Sequence, residues 1–313
     1  MHRRMEQNDV SIVVYGSINI DLTAYTPTLP IAGQTLLGHS YLMSLGGKGA
    51  NQAVASARLG AEVSLIGHVG DDTFGRRALQ QLNGYGVDVS RVETLTDQGT
   101  GLAVISVDDN GENTIIVLSG ANMYFDENNV GQFRDLLRKA QVLLMQLEVP
   151  VRADLAVAKI AHEEGVKVVL DPAPAAQIPS ELYRIADIMT PNEVETEIMV
   201  GVRPSSLDEA AEAANRLRDR GLDTAVITLG SGGTYCASGS DNIHLPAFQV
   251  DAVDTVAAGD AFAGGLAVAI SEGLPINQAL NWGAAAGALC TTRAGASVAM
   301  PDRDEVVKLL ART

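Results

Sequence analysis

The chain has 313 residues, enough to bury roughly three quarters of its unfolded surface in one large domain or two smaller ones. Its net charge is −16, from 22 basic and 38 acidic residues with only five lysines, so it repels phosphate backbones and anionic lipids, and no nucleic acid or membrane partner is expected. No apolar run reaches the ~18 residues of a membrane span, MHRRMEQND carries no apolar signal region, and Cys236 and Cys290 make no disulfide framework, which together predict a cytoplasmic protein.

Taken in chain order, apolar β-branched runs predict strands at Val10–Tyr15, Glu62–Gly67, Val142–Gln146, Lys167–Leu170, Asp187–Met189 and Ala225–Leu229. Amphipathic segments lie between them, several ending at a glycine suited to a left-handed cap: Gly60, Gly165 and Gly221. This alternation predicts an α/β fold with a mainly parallel central sheet and helices on both faces. Two segments interrupt it. Residues 22–45 are polar and punctuated by glycine and proline, and residues 100–119 read as a hairpin around DDNGE with an Asn110-Gly111 turn. Both are expected to be a small inserted β-sheet acting as a lid or pairing surface. No linker or repeat divides the chain, so a single domain over 1–313 is expected. After Thr255 alanine and glycine dominate up to Cys290; small residues allow close helix packing and also close approach of a ligand to the backbone.

The candidate chemistry follows the same order. GSINID places Asn19 and Asp21 two apart, on one face of an extended chain, either as a pair for vicinal hydroxyls or as an Asx turn. LGGKGANQA suggests a triphosphate loop, but G-x-x-x-x-G-K-[ST] needs a glycine where Leu42 stands and a hydroxyl where Gly49 stands, so Lys48 has another role. MQLEVP puts Glu148 just past a buried strand, either in a ligand crevice or as a cap for the next helix. TPNEVE carries Asn192 and Glu195 on one helical face, to orient metal-bound water and phosphate or to cap the helix. ITLGSGGTY is a strand ending in a glycine turn, either a nucleotide-contacting loop or an ordinary hairpin. In AVDTVAAGDAFAGG, Asp260 falls in the first turn of a helix, as an N-terminal cap or as a base beside an anion site at Ala257, Ala258 and Gly259. The histidines lack zinc spacing, and neither G-x-G-x-x-G nor G-x-S-x-G occurs at the required places, which disfavours dehydrogenase and hydrolase readings.

Together these segments resemble the ribokinase family of sugar kinases, also called the PfkB carbohydrate kinases. GGKGANQA is similar to its N-terminal signature and DTVAAGDAF to its C-terminal one, with MQLE, DPAPA at 171–175, TPNEVE and ITLGS between them in order. The resemblance spans GSINID to the Pro301 region and implies a three-layer α/β/α sandwich with a β lid that often pairs two subunits as a homodimer. It implies ATP-dependent phosphorylation of the 5-hydroxyl of D-ribose, with Asp260 as general base and the amides of Ala257–Gly259 as the anion hole. By the same resemblance, Asn19, Asp21, Gly47, Lys48, Asn51 and Glu148 hold the sugar, and Asn192 and Glu195 support Mg²⁺ and phosphate. Thr228, Gly230, Ser231 and Gly233 line the ATP site. An activating monovalent cation, K⁺, would be held by loops containing Asp254, Val256, Arg293 and Gly295, although the family's serine in the second loop corresponds to Ala299 here. Gln34 stands where a glutamate is common. Asn19 favours ribose over deoxyribose within the resemblance, and 4% aromatic residues leave little to stack a nucleobase substrate. A kinase for another pentose or a nucleoside, and a non-catalytic sugar-binding regulator, are the alternatives. The base beside an anion site speaks against the regulator.

Overall fold

In the strand Ile12–Tyr15 (β1) every residue is fully buried, and its alternate side chains enter two separate cores. Ile12 and Val14 face helices that include Lys48–Arg58, Ala258–Ser271 and Ile276–Cys290, whereas Val13 and Tyr15 face helices that include Val151–Glu163 and Leu207–Asp219. A strand apolar on both faces therefore enforces three layers, each buried aliphatic side chain contributing roughly 1.5–3 kcal/mol. The structure is a computed structural model describing residues 12–312, so Val10 and Ser11 of the first predicted strand lie outside the described residues.

The other strands follow in chain order: β2 (Asn19–Tyr25), β3 (Ser40–Gly46), β4 (Val63–Gly70), β5 (Asp88–Leu95), β6 (Gly101–Val107) and β7 (Asn113–Leu118). Then come β8 (Val142–Met145), β9 (Lys167–Leu170), β10 (Ile188–Met189), β11 (Thr224–Thr228), β12 (Thr234–Ser238) and β13 (Asp241–Leu245). The central sheet runs β13-β12-β11-β10-β9-β8-β1-β4-β5. It is parallel from β11 to β5 and antiparallel only at the β11-β12-β13 edge. The buried strands match the apolar runs to within a few residues. The edge strand β5 and the β12–β13 hairpin carry no continuous apolar run, and the sequence reading passes over them.

The expected inserts form one four-stranded sheet, β3-β2-β6-β7, which starts at Asn19, earlier than the expected residue 22. Its tight turn lies at Asn110-Gly111 as expected: Gly111 takes φ +83°, and the Asp108 carboxylate accepts from the N–H groups of Asn110 and Glu112. The predicted caps Gly60, Gly165 and Gly221 all adopt positive φ.

The alanine- and glycine-rich tail serves close packing. A Cβ on Gly265 would sit 2.9 Å from the Trp282 carbonyl and 3.0 Å from the Ala286 Cβ, so the two C-terminal helices approach backbone to backbone. Gly265→Val is expected to lower unfolding stability by about 1–3 kcal/mol in urea denaturation. Parent-like stability would mean that the helices have room to separate.

Candidate active site

Tyr15, Met145, Leu170 and Met189 close β1, β8, β9 and β10 in one row, in register with Ala225 of β11, which runs on to Thr228. The chain leaving each strand carries polar residues into the crevice beyond this carboxyl edge: Ser17 and Asn19, Gln146 and Glu148, Asp171, Asn192, then Thr228 to Gly233. The helix Lys48–Arg58 enters the same crevice from its N-terminus, and the helix Ala258–Ser271 brings Asp260.

The glycines around Lys48 make room for protein. A Cβ on Gly49 would lie 2.6 Å from the backbone of Gly16 and Ser17, and one on Gly46 would lie 2.3 Å from the Asp21 carboxylate. Gly47 has φ +84° and a Cβ there would meet the backbone of Ser17 to Asn19. The loop after β1 is thus pressed against the helix start, which aligns the sugar-side candidates. Glu148 accepts from the Lys48 backbone N–H at 3.0 Å and from the Ser17 hydroxyl, so it caps the helix at Lys48 and not the one at Val151. Asn19 and Asp21 lie within β2, not in an Asx turn. Asn122 donates to the Asn19 side-chain oxygen at 2.7 Å and braces both backbone groups of Ile18.

Asp260 sits in the first helical turn, yet its carboxylate does not cap the helix. It turns into the crevice, accepting from Asn51 at 2.9 Å and Gln52 at 3.1 Å, with the Lys48 ammonium 3.8 Å away. The same ammonium lies 3.7 Å from Asp171, which also accepts from Gln52 at 2.8 Å. Burial raises the proton affinity of Asp260, opposed by Lys48, Asn51 and Gln52 and reinforced by Glu148. Asp171 is pushed up to about 7, chiefly by burial, against the pull of Lys48. Asp21 is pushed up to about 6 by burial and then by Glu148 and Asp260. Burial also raises Glu195. For Lys48 burial favours the neutral amine, but the surrounding carboxylates outweigh it and the side chain stays an ammonium.

On the other side of Asp260 lies a cleft of about 640 Å³. Asn192, Thr228, Gly230, Ser231 and Gly233 line it, as do Ala258 and Gly259. The ITLGSGGTY segment is both a hairpin, β11 to β12, and a wall of this cleft. No side chain caps the helix beginning at Ala258, and its N-cap Ala257 has φ +58°, the one positive φ outside glycine among the described residues. A Cβ on Gly259 would meet nothing within 4 Å. An open helix terminus with room in front of it can accept an anion. Asn192 and Glu195 form a reciprocal capping box, with Asn192 on the cleft wall and Glu195 buried behind it.

The two loops expected to hold a monovalent cation are joined by Asp254, whose carboxylate accepts from the N–H groups of Val256 at 3.0 Å and Gly295 at 2.9 Å. The Arg293 guanidinium is paired with Glu305, and the Ser297 hydroxyl donates to the Leu45 carbonyl.

Several site residues escaped the sequence reading. Gln52, Gln146, Ser17, Asn122 and Asp171 as a site group are buried polar side chains, each recognisable only from partners more than thirty positions away or from burial itself. The cleft wall Ala284, Gly287, Ala288 and Thr291 has a legible signal, small residues at i, i+3, i+4 and i+7 of one helix face.

Raised carboxylates mean a crevice that destabilises the free protein once they ionise. The Asp21 penalty is absent below its unfolded value near 4 and complete above about 6. Asp21→Asn is therefore expected to melt above the parent at pH 8, with the gap narrowing as pH falls toward 4. A gap independent of pH would disprove the raised affinity.

The chain matches the model of the pfkB family carbohydrate kinases over residues 9–303. It is 40% identical over 300 residues to the ribokinase of Haemophilus influenzae, covering 96% of this chain and 98% of that one. It is 36% identical over 256 residues to the deoxyribokinase of Salmonella typhi, covering 82% and 84% of the two chains. Among solved structures, Arabidopsis thaliana ribokinase complexed with ribose and ATP superposes with a TM-score of 0.92 at 33% identity, covering 97% of this chain and 99% of that one. With the signatures, the sheet order and the crevice in agreement, the chain belongs to the pfkB family of carbohydrate kinases.

Proposed function

We propose that this protein transfers the γ-phosphoryl group of ATP to the 5-hydroxyl of D-ribose, giving ribose 5-phosphate. One observation carries the reading: the buried Asp260 carboxylate stands between a polar crevice and an open helix terminus that faces a nucleotide-sized cleft. Asn19, Asp21, Gly47, Lys48, Asn51 and Glu148 hold the sugar hydroxyls on one side. Thr228, Gly230, Ser231 and Gly233 hold the nucleotide on the other. Asp260 takes the proton of the attacking hydroxyl, and its raised affinity suits it to that task. The amides of Ala257, Ala258 and Gly259 stabilise charge on the transferring group, which needs positioning and electrostatics more than covalent help.

Two metal ions enter the reading. The capping box sets Asn192 on the cleft wall with Glu195 behind it, which fits Mg²⁺ carried mainly by phosphate and water, with these two side chains holding that water. When bound it neutralises charge on the phosphates. For K⁺ the fit is a carbonyl set from the loops of Asp254, Val256, Arg293 and Gly295, held together by the Asp254 carboxylate. Its charge would reinforce the nearby anion site.

The lid supports a homodimer: the edge strand β7 exposes Ile115, Ile116, Val117 and Leu118 on both faces, an apolar edge that a second copy would cover, as light scattering in solution would reveal. A cytoplasmic location agrees with two free, buried cysteines, and no described helix is long and apolar enough to cross a membrane. A kinase preferring deoxyribose is the second reading, supported by the similarity to the deoxyribokinase.

ADP release measured across ribose, deoxyribose, fructose and nucleosides, with and without K⁺, decides between them. Ribose is expected to give the highest kcat/KM, increased by K⁺, and Asp260→Asn to lose turnover by at least about a hundredfold while still binding ribose. No turnover with any pentose would reject the reading, and near-parent rates in Asp260→Asn would remove that residue as the base.

A further inference from the structure

The sugar-side residues leave one buried carboxylate without a role. Asp171 follows β9, is 5% exposed, and is placed against the two groups that also hold the base. The Lys48 ammonium lies 3.7 Å from Asp171 Oδ2 and 3.8 Å from Asp260 Oδ1, at hydrogen-bonding distance from neither. The Gln52 amide nitrogen bridges the same two oxygens at 2.8 and 3.1 Å. Its polarity is fixed from behind, because Gln146 donates to the Gln52 side-chain oxygen at 2.6 Å and so turns the NH₂ toward the carboxylates. The two acids are thus coupled twice, through one cation and through one amide.

An ammonium closed onto a carboxylate takes away its basicity, because the paired carboxylate loses affinity for a proton. We propose that Asp171 is a positioning residue for phosphoryl transfer: by sharing Lys48 and Gln52 with Asp260, it holds the ammonium midway and keeps Asp260 an effective base. The inference rests on the kinase reading given above. The charged and titratable groups facing Asp260 are Lys48 from its helix, Asp171 after β9, Glu148 after β8, Asp21 on β2, Glu195 behind the cleft wall and Cys290 from the following helix. Asp171 is the carboxylate among them that competes with Asp260 for Lys48 at matched distance. Above about pH 7, where Asp171 is ionised, removing its charge removes both its repulsion on the neighbouring Asp260 carboxylate and the counter-pull on Lys48. Both changes weaken the base, whereas a purely structural acid would affect only folding.

The test compares the parent with Asp171→Asn and Asp171→Ala. Carboxyl titration is followed by ¹³C NMR of aspartate-labelled, ligand-free protein, with Asp260→Asn assigning the signal, and kcat is measured from pH 5 to 9. In both variants Asp260 is expected to titrate about one pH unit lower, with the acidic limb of kcat moving with it. The rate at pH 8 is expected to fall roughly three- to tenfold, while the melting temperature at pH 8 does not fall in Asp171→Asn. An Asp260 titration unchanged in both variants overturns the proposal, whatever happens to the rate or the melting temperature. If the parent turns over no sugar, the kinase reading fails with it, yet the titration still decides whether Asp171 controls the affinity of Asp260. Normal parent turnover with an unmoved titration rejects the inference alone.

Discussion

One ammonium group holds the crevice together. Lys48 is the lone lysine facing Glu148, Asp171, Glu195 and Asp260, and with a side chain 27% exposed it cannot be fully hydrated. Several buried carboxylates around one cation make a site that is electrostatically unfavourable by itself, and burial raises the proton affinities of Asp21, Asp171, Glu195 and Asp260. Such a site persists because the rest of the fold is built from tightly packed aliphatic and alanine-rich layers whose stability offsets it. The helix terminus at Ala257 to Gly259 carries no side-chain cap, while Asp260 in the same first turn directs its carboxylate to Asn51 and Gln52.

The carboxyl edge of the sheet converts chain order into site geometry. β1, β8, β9 and β10 end in register beside the longer β11, and each delivers its next polar residues to the same crevice. Helix starts then supply what strands cannot, namely fixed partial charges. Glu148 occupies the terminus at Lys48, the Asn192–Glu195 box occupies another, and the terminus at Ala258 is left open. Two of three termini are closed with side chains, and the third is available to an anion.

Much of this was legible in the residues. Six buried strands were visible because parallel strands covered on both faces are continuous apolar runs, and the Asn110-Gly111 hairpin because its turn needs a positive φ. The residues of both signatures were visible as well, since Asp260 beside small residues and Lys48 beside glycines are unusual patterns. Edge strands β5 and β13 were not, because half-exposed strands mix polar and apolar residues, and the buried β12 was not, because TYCAS carries no continuous apolar run. The roles of Glu148 and Asp260 also stayed open, since a carboxylate near a helix start reads as that helix's own cap. In the structure Glu148 caps a helix a hundred positions earlier, and Asp260 caps none.

LGGKGANQA condenses the distinction. Its spacing alone excluded a triphosphate loop, because that loop needs particular backbone and hydroxyl groups at fixed local offsets. Local chemistry likewise determined the helix starts, the turns and the alternation of layers, all of which depend on neighbours a few residues apart. What Lys48 touches was decided by tertiary structure: Asp171 is 123 positions away along the chain and Asp260 is 212. The glycines turned out to admit the β1 loop, bringing the lysine to the two acids. Coulomb and hydrogen-bond energies depend on distance in space, which the packing of the sheet sets and chain separation does not.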